Sequence, residues 1–148
     1  IREFYPPIDE LYFRGGFLLI SVLATIWICD SAAFFGGTAL GKHKLFPRVS
    51  PNKTWEGAIF GLVFAVLTMI LAKLLVIDFL NWADVIVIGI IVGTIGQIGD
   101  LVESLFKRDA GLKDSSNLIP GHGGIFDRFD SLLFSAPVIL LYMRYFTS

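Results

Sequence analysis

Between Ser104 and Asp130 the chain reads SLFKRDAGLKDSSNLIPGHGGIFDRFD. The cations Lys107, Arg108, Lys113 and Arg128 are interspersed there with the carboxylates Asp109, Asp114, Asp127 and Asp130, and glycine turns lie between them. Lys and Arg give charge-assisted hydrogen bonds to phosphate oxygens. Grouped carboxylates suit a hard divalent cation such as Mg2+, which takes one or two of them and fills its shell with water and phosphate. This stretch lies between two strongly apolar segments, so the chemistry it suggests is phosphate and metal handled at the edge of a membrane.

The turn that ends this stretch is suited to an anion. Gly121, Gly123 and Gly124 let backbone N–H groups approach closely, and a helix N-terminus, which attracts anions, is expected directly after them. His122 sits in the turn; it can donate to a phosphate, act as acid or base, or simply hold the turn by a hydrogen bond. A second basic segment, residues 41–54, adds Lys42, His43, Lys44, Arg48, Ser50, Lys53 and Thr54, with Pro47 and Pro51 restricting its backbone. An anionic lipid head group is the natural partner of such a segment, although basic loops also serve simply to orient a membrane protein. No G-x-x-x-x-G-K-[ST] loop, no H-E-x-x-H pair and no Ser-His-Asp constellation is present.

The elements that must position these residues are apolar. Hydrophobic residues make up 55% of the 148-residue chain, more than the roughly 45–50% of a soluble domain. They collect in four blocks, about Gly16–Leu40, Trp55–Leu80, Asp84–Phe106 and Gly124–Phe146. Each is long enough for a helix, and about 20 residues cross a bilayer. An all-α membrane bundle of about four spans with polar cytoplasmic loops is expected, as one domain. Cys29 is the only cysteine, so no internal disulfide forms. Residues 1–15 lack the layout of a signal peptide, and the start at Ile1 suggests a portion of a longer protein. Gly57-x-x-x-Gly61 and Gly89-x-x-x-Gly93 have the spacing that lets helices approach closely, which glycine in membrane helices also shows by chance. Pro137 falls inside the fourth block, and Trp82, Tyr142 and Tyr145 suit an interfacial belt.

With four spans, the basic segments 41–54 and 107–123 share one side, the cytoplasmic one by the positive-inside rule. At 1.5 Å of helix rise per residue, Asp30, Asp100, Glu103, Asp127 and Asp130 then fall roughly 5–15 Å below that surface, on three helices. Asp100/Glu103 and Asp127/Asp130 are spaced i, i+3, so each pair shares a helix face. An ionised side chain at that depth needs a polar cavity and a partner. The partner is either a divalent cation or the basic residues Lys107, Arg108, Lys113 and Arg128 in a structural network. For Asp30 and Glu103, packing and metal ligation stay equally open. A cation transporter uses similar acids, but spread about the bilayer midplane.

The stretch Ser104–Asp130 resembles the signature of the CDP-diacylglycerol synthases, or phosphatidate cytidylyltransferases. Ser104, Lys107, Arg108, Lys113, Asp114, Pro120, Gly121, His122, Gly123, Gly124, Asp127, Arg128 and Asp130 all fall on it. The upstream runs DSAAFFGG from Asp30, GKHKL from Gly41, SPNKTWEG from Ser50 and GQIGDLVES from Gly96 are similar to the same family, so the likeness extends over about Asp30–Ser135. It implies a nucleotidyltransferase of the inner membrane with its site on the cytoplasmic side. It implies CTP and phosphatidic acid as substrates, Mg2+ with a second cation as cofactor, membrane lipid around it and no nucleic acid; a homodimer stays open. Asp100, Asp127 and Asp130 are expected to bind metal, with Asp114 as a further ligand or as the orienter of Lys113. Lys107, Arg108, Lys113 and Arg128 are expected on the nucleotide phosphates, with Ser104, His122, Gly123 and Gly124 beside them. Ser50, Lys53 and Thr54 are expected at the lipid head group. A CTP-dependent lipid kinase would share much of this logic.

Overall fold

The computed structural model describes residues 8–111 and 125–147, the latter with side chains from residue 129 onward. Helix α1 (Ile8–Leu40) leads into a short antiparallel hairpin, β1 (Lys44–Phe46) and β2 (Ser50–Thr54). Helix α2 (Trp55–Leu75) follows at once. After a turn come α3 (Trp82–Ile91), a π-helical turn over Val92–Gly96, and α4 (Gln97–Asp109), which together make one span. Helix α5 (Ile125–Phe146) closes the bundle. Among the described residues four helical stretches, Asp9–Leu40, Trp55–Leu75, Trp82–Asp109 and Phe129–Phe146, are long and apolar enough to cross a membrane. The fold is the all-α membrane bundle the apolar blocks predict.

Two boundaries and one connection differ from that reading. Helix α1 begins at Ile8, ahead of its apolar block, because Asp9 and Glu10 sit favourably in its first turn and Arg14 pairs with Glu10 one turn on. At 33 residues it is about 50 Å long, more than a hydrocarbon core requires. Helix α2 stops at Leu75 rather than Leu80, and Lys73 holds the turn by donating to the carbonyls of Asp78 (2.9 Å) and Leu80. The basic segment 41–54 is a hairpin with Lys44 opposite Thr54 and Phe46 opposite Ser50.

Both glycine pairs are packing devices. A Cβ on Gly57 would stand 2.6 Å from the Ala33 carbonyl oxygen, and one on Gly61 3.0 Å from that of Cys29, so α2 lies directly on the α1 backbone. On the other side, a Cβ on Gly89 or Gly93 would stand 2.9 Å from the Cα of Val66 or Leu62. With lipid as apolar as the side chains themselves, such close backbone approach is what associates helices.

The interior is divided along its length. Val22, Ile26, Met69, Val85, Ile88, Val92 and Ile139 form an apolar core, plugged by Ile77 and Leu80 of the turn after α2. Tyr142 donates a 2.8 Å hydrogen bond to the buried Asp84 in the first turn of α3. Toward the hairpin the lining becomes polar. Outward faces carry Trp27, Phe34, Leu67, Leu71, Leu74, Leu140 and Leu141 in the open, as lipid-facing helices do.

Candidate active site

The hairpin is clamped to the start of α2. Thr54, extended at φ −126° and ψ 155°, is its N-cap and accepts from the Gly57 amide at 3.2 Å. The Trp55 amide donates to the His43 carbonyl at 3.0 Å. Glu56 reaches back to the His43 ring (Nδ1, 2.6 Å) and to its backbone amide (3.3 Å). These contacts tip β2 over the bundle, so that Lys53 points into it.

Under the hairpin lies a cavity of about 820 Å³. The end of α1 contributes Asp30, Gly37 and Thr38; the hairpin Lys44, Ser50, Asn52, Lys53 and Thr54; α4 Gln97 and Asp100; and α5 Asp130. Among the described lining residues three carboxylates face two lysines.

Of the five acids expected at one level, Asp30, Asp100 and Asp130 line the cavity. Asp100 and Asp130, on α4 and α5, lie within hydrogen-bonding reach of each other. Asp130 is 7% exposed, and its Oδ1 accepts from the Ser131 amide at 2.6 Å. Lys53 Nζ donates to Asp100 Oδ2. Asp30, on α1, is close enough for its charge to act on both Asp100 and Lys53. A positive charge eases two like charges at such range, and Lys53 supplies one.

The π-helical turn sets where α4 points. Such a turn widens the helix by one residue and recurs at functional sites. Directly after it, the Gln97 amide donates to the carbonyls of Gly93 (2.6 Å) and Ala58 (3.0 Å) and lies 3.8 Å from Cys29 Sγ. Gln97 therefore ties α1, α2 and the third span together one turn before Asp100.

Of the residues singled out from sequence, Asp30, Lys44, Ser50, Lys53, Thr54, Asp100 and Asp130 line the cavity. The Thr54 oxygen is engaged in capping α2. Ser104 donates to the Asp100 carbonyl at 2.9 Å, and Lys107 pairs with Glu103 at 3.4 Å; neither is among the described lining residues, nor is the exposed Arg108. Lys107 is nonetheless near enough for its charge to reach Asp100. Asp127 and Arg128 fall in the first turn of α5, where the backbone alone is described. Lys113, Asp114, His122, Gly123 and Gly124 lie outside the described residues. Asn52 and Gln97 also line the cavity, and reading the sequence for charge misses both. The signal for Gln97 is an amide inside an otherwise apolar span; for Asn52 it is the turn-like SPNKT run.

The residues fit Mg2+. No group of three or more His, Cys, Asp and Glu side chains is placed to hold a metal among the described residues. Mg2+ does not need one, since one or two carboxylates with water and phosphate oxygens suffice. Asp100 and Asp130, meeting in a polar cavity, offer that set.

Comparison with known proteins gives the family. The profile of the cytidylyltransferase family matches residues 8–146. The chain is 45% identical over 132 residues to a phosphatidate cytidylyltransferase of Haemophilus influenzae, covering 84% of this chain and 45% of that protein. It is 50% identical over 127 residues to the protein of that name in Staphylococcus aureus (85% and 48%). With that of Staphylococcus haemolyticus it is 46% identical over 141 residues (91% and 54%). The chain spans about half the length of these curated relatives. It belongs to the cytidylyltransferase family.

Proposed function

We propose that the chain carries the catalytic portion of a phosphatidate cytidylyltransferase, which transfers a cytidylyl group from CTP to phosphatidic acid and gives CDP-diacylglycerol and pyrophosphate. The observation that carries this reading is the meeting of Asp100 and Asp130, with Lys53 beside them, in a polar cavity at one end of an apolar bundle. The family membership and the names of the relatives support it.

In the reaction, a phosphate oxygen of phosphatidic acid bonds to the α-phosphorus of CTP. The bond from that phosphorus to the bridging oxygen breaks, and pyrophosphate leaves with the electron pair. The attacking phosphomonoester is largely dianionic near neutrality, its second pKa being about 6, so no protein nucleophile or strong base is required. Positioning and charge neutralisation are the protein's work.

Each group has a task in that work. Asp100 and Asp130, with Asp127, would hold Mg2+. Bound there, Mg2+ would supply Lewis-acid neutralisation of the phosphate oxygens, and a second cation would add to it. Lys107, Arg108, Lys113 and Arg128 would grip the CTP phosphates and the leaving pyrophosphate, with Asp114 orienting Lys113. Ser104, His122, Gly123 and Gly124 would complete that grip. Ser50, Lys53 and Thr54, on the hairpin over the cavity, would face the lipid head group. That site lies at the depth of head-group phosphates on the cytoplasmic side of the inner membrane, which is why a lipid is the acceptor.

The test is to give the purified full-length protein labelled CTP, phosphatidic acid and Mg2+. Pyrophosphate and a labelled lipid are expected together. Release of CDP instead would identify a lipid kinase. Metal flux into vesicles without nucleotide, and no turnover, would identify a transporter.

A further inference from the structure

We propose that Lys53 is an exchangeable counter-ion: it occupies Asp100 while no divalent cation is bound, and on metal binding it moves off to meet a substrate phosphate in the same cavity. This deepens the reading of Asp100 and Asp130 as metal ligands and rests on it.

Three observations lead there. The first is position. Lys53 Nζ donates to Asp100, the carboxylate that also meets Asp130, so the ammonium stands on the oxygens a metal would use. An ammonium and a divalent cation on one carboxylate repel each other at a range too short for salt to screen.

The second is charge. Among the described lining residues, Asp30, Asp100 and Asp130 face Lys44 and Lys53. The Lys53–Asp100 contact thus keeps one ammonium against the densest negative charge. A divalent cation replaces it there with charge to spare, and the polyanionic substrate then needs the freed lysine more than Asp100 does.

The third is freedom to move. The Lys53 side chain is partly open, at 30% exposure, and hangs from the hairpin rather than from a packed helix face. Lysine is a point charge on a flexible stem. Ser50, Asn52 and Thr54, its neighbours on β2, line the same cavity, so the released ammonium stays within it.

The test is Mn2+ binding to the full-length protein without nucleotide, followed by electron paramagnetic resonance. Lys53→Met is expected to bind Mn2+ about tenfold or more tightly than wild type, because a competing charge is gone. Lys53→Arg keeps the charge and is expected to bind no more tightly than wild type, and it controls for the fold. With Mn2+ saturating, Lys53→Met is expected to turn over slowly. Unchanged or weaker Mn2+ binding in Lys53→Met, or equally tightened binding in Lys53→Arg, overturns the exchange. Asp100→Asn separates the two levels. If it loses Mn2+ while Lys53→Met stays at wild-type affinity, only the exchange falls. If it keeps Mn2+ at wild-type affinity, the metal assignment falls and the exchange with it.

Discussion

Asp130 enters the bundle at the start of α5 and meets Asp100, which α4 carries to the same depth from the opposite direction. The pairing depends on spans running antiparallel, so that the last third of the Trp82–Asp109 span lies beside the first turns of α5. Gly99 lets it happen: a Cβ there would stand 2.8 Å from the Cβ of Phe134, so α4 and α5 are in close contact beside the acids.

Replacing either acid by its amide keeps the shape and removes the charge. Asp100→Asn and Asp130→Asn are each expected to lower Mg2+-dependent pyrophosphate release by at least about a hundredfold, since even outer-shell partners of a metal are worth 10–100-fold. Thermal unfolding in detergent should change little for Asp130→Asn, because the amide oxygen of the replacement side chain can still accept from the Ser131 amide. Near-normal turnover in either variant would remove that residue from the metal site.

The glycines predict a rank order in stability. Gly57→Ala drives a methyl into the Ala33 carbonyl and the Gly37 backbone, so overpacking should destabilise by about 1–3 kcal/mol. Gly96→Ala meets nothing nearer than Ser131 Cβ at 3.5 Å, an ordinary contact, and should be neutral or stabilising by up to about 1 kcal/mol. Unfolding midpoints measured side by side check the order. If Gly57→Ala matched Gly96→Ala, α1 and α2 would not be in backbone contact.

Much of the fold is legible because lipid leaves few alternatives: long apolar runs become helices. Helix rise alone puts Asp30, Asp100 and Asp130 at one level of the bundle, and all three line the cavity. What helix periodicity does not carry is the local backbone. Nothing in the 41–54 composition marks a hairpin, because Glu56, in the next element, clamps it through His43. The end of α2 at Leu75 is equally hidden, since residues 76–80 are nearly as apolar as the helix and the stop depends on Lys73 meeting backbone carbonyls. The contact of Tyr142 with Asp84 is hidden likewise, because the two are distant in sequence.

That pair gives a prediction remote from the cavity. Asp84 is 4% exposed, accepts from Tyr142 through Oδ1, and its Oδ2 has no hydrogen-bond partner among the described residues. Tyr142→Phe removes the donor and should destabilise by about 1–3 kcal/mol, the cost of orphaning a buried acceptor. Adding Asp84→Leu should recover most of that loss, since replacing both partners by apolar groups is nearly neutral. Turnover per folded molecule should stay at wild type in both. A double variant less stable than Tyr142→Phe alone would show that Asp84 has a second partner.

The clamp between Glu56 and His43 holds the hairpin over the cavity, and its loss should be visible without any assay of activity. Glu56 contacts both the ring and the amide of His43, while Thr54 separately caps α2. Glu56→Ala should therefore free the strands without unwinding the helix, so that amides of residues 44–54 exchange hydrogen faster while those in the middle of α2 keep their protection. His43→Ala removes the ring contact and leaves the amide contact, so its effect should be smaller. The double variant should resemble Glu56→Ala, because the two deletions share one interaction. Thr54→Ala should do the opposite, weakening the first turn of α2 by about 1 kcal/mol. If hairpin exchange is unchanged in Glu56→Ala, the strand pairing alone holds β2 in place and the clamp contributes nothing to where Lys53 points.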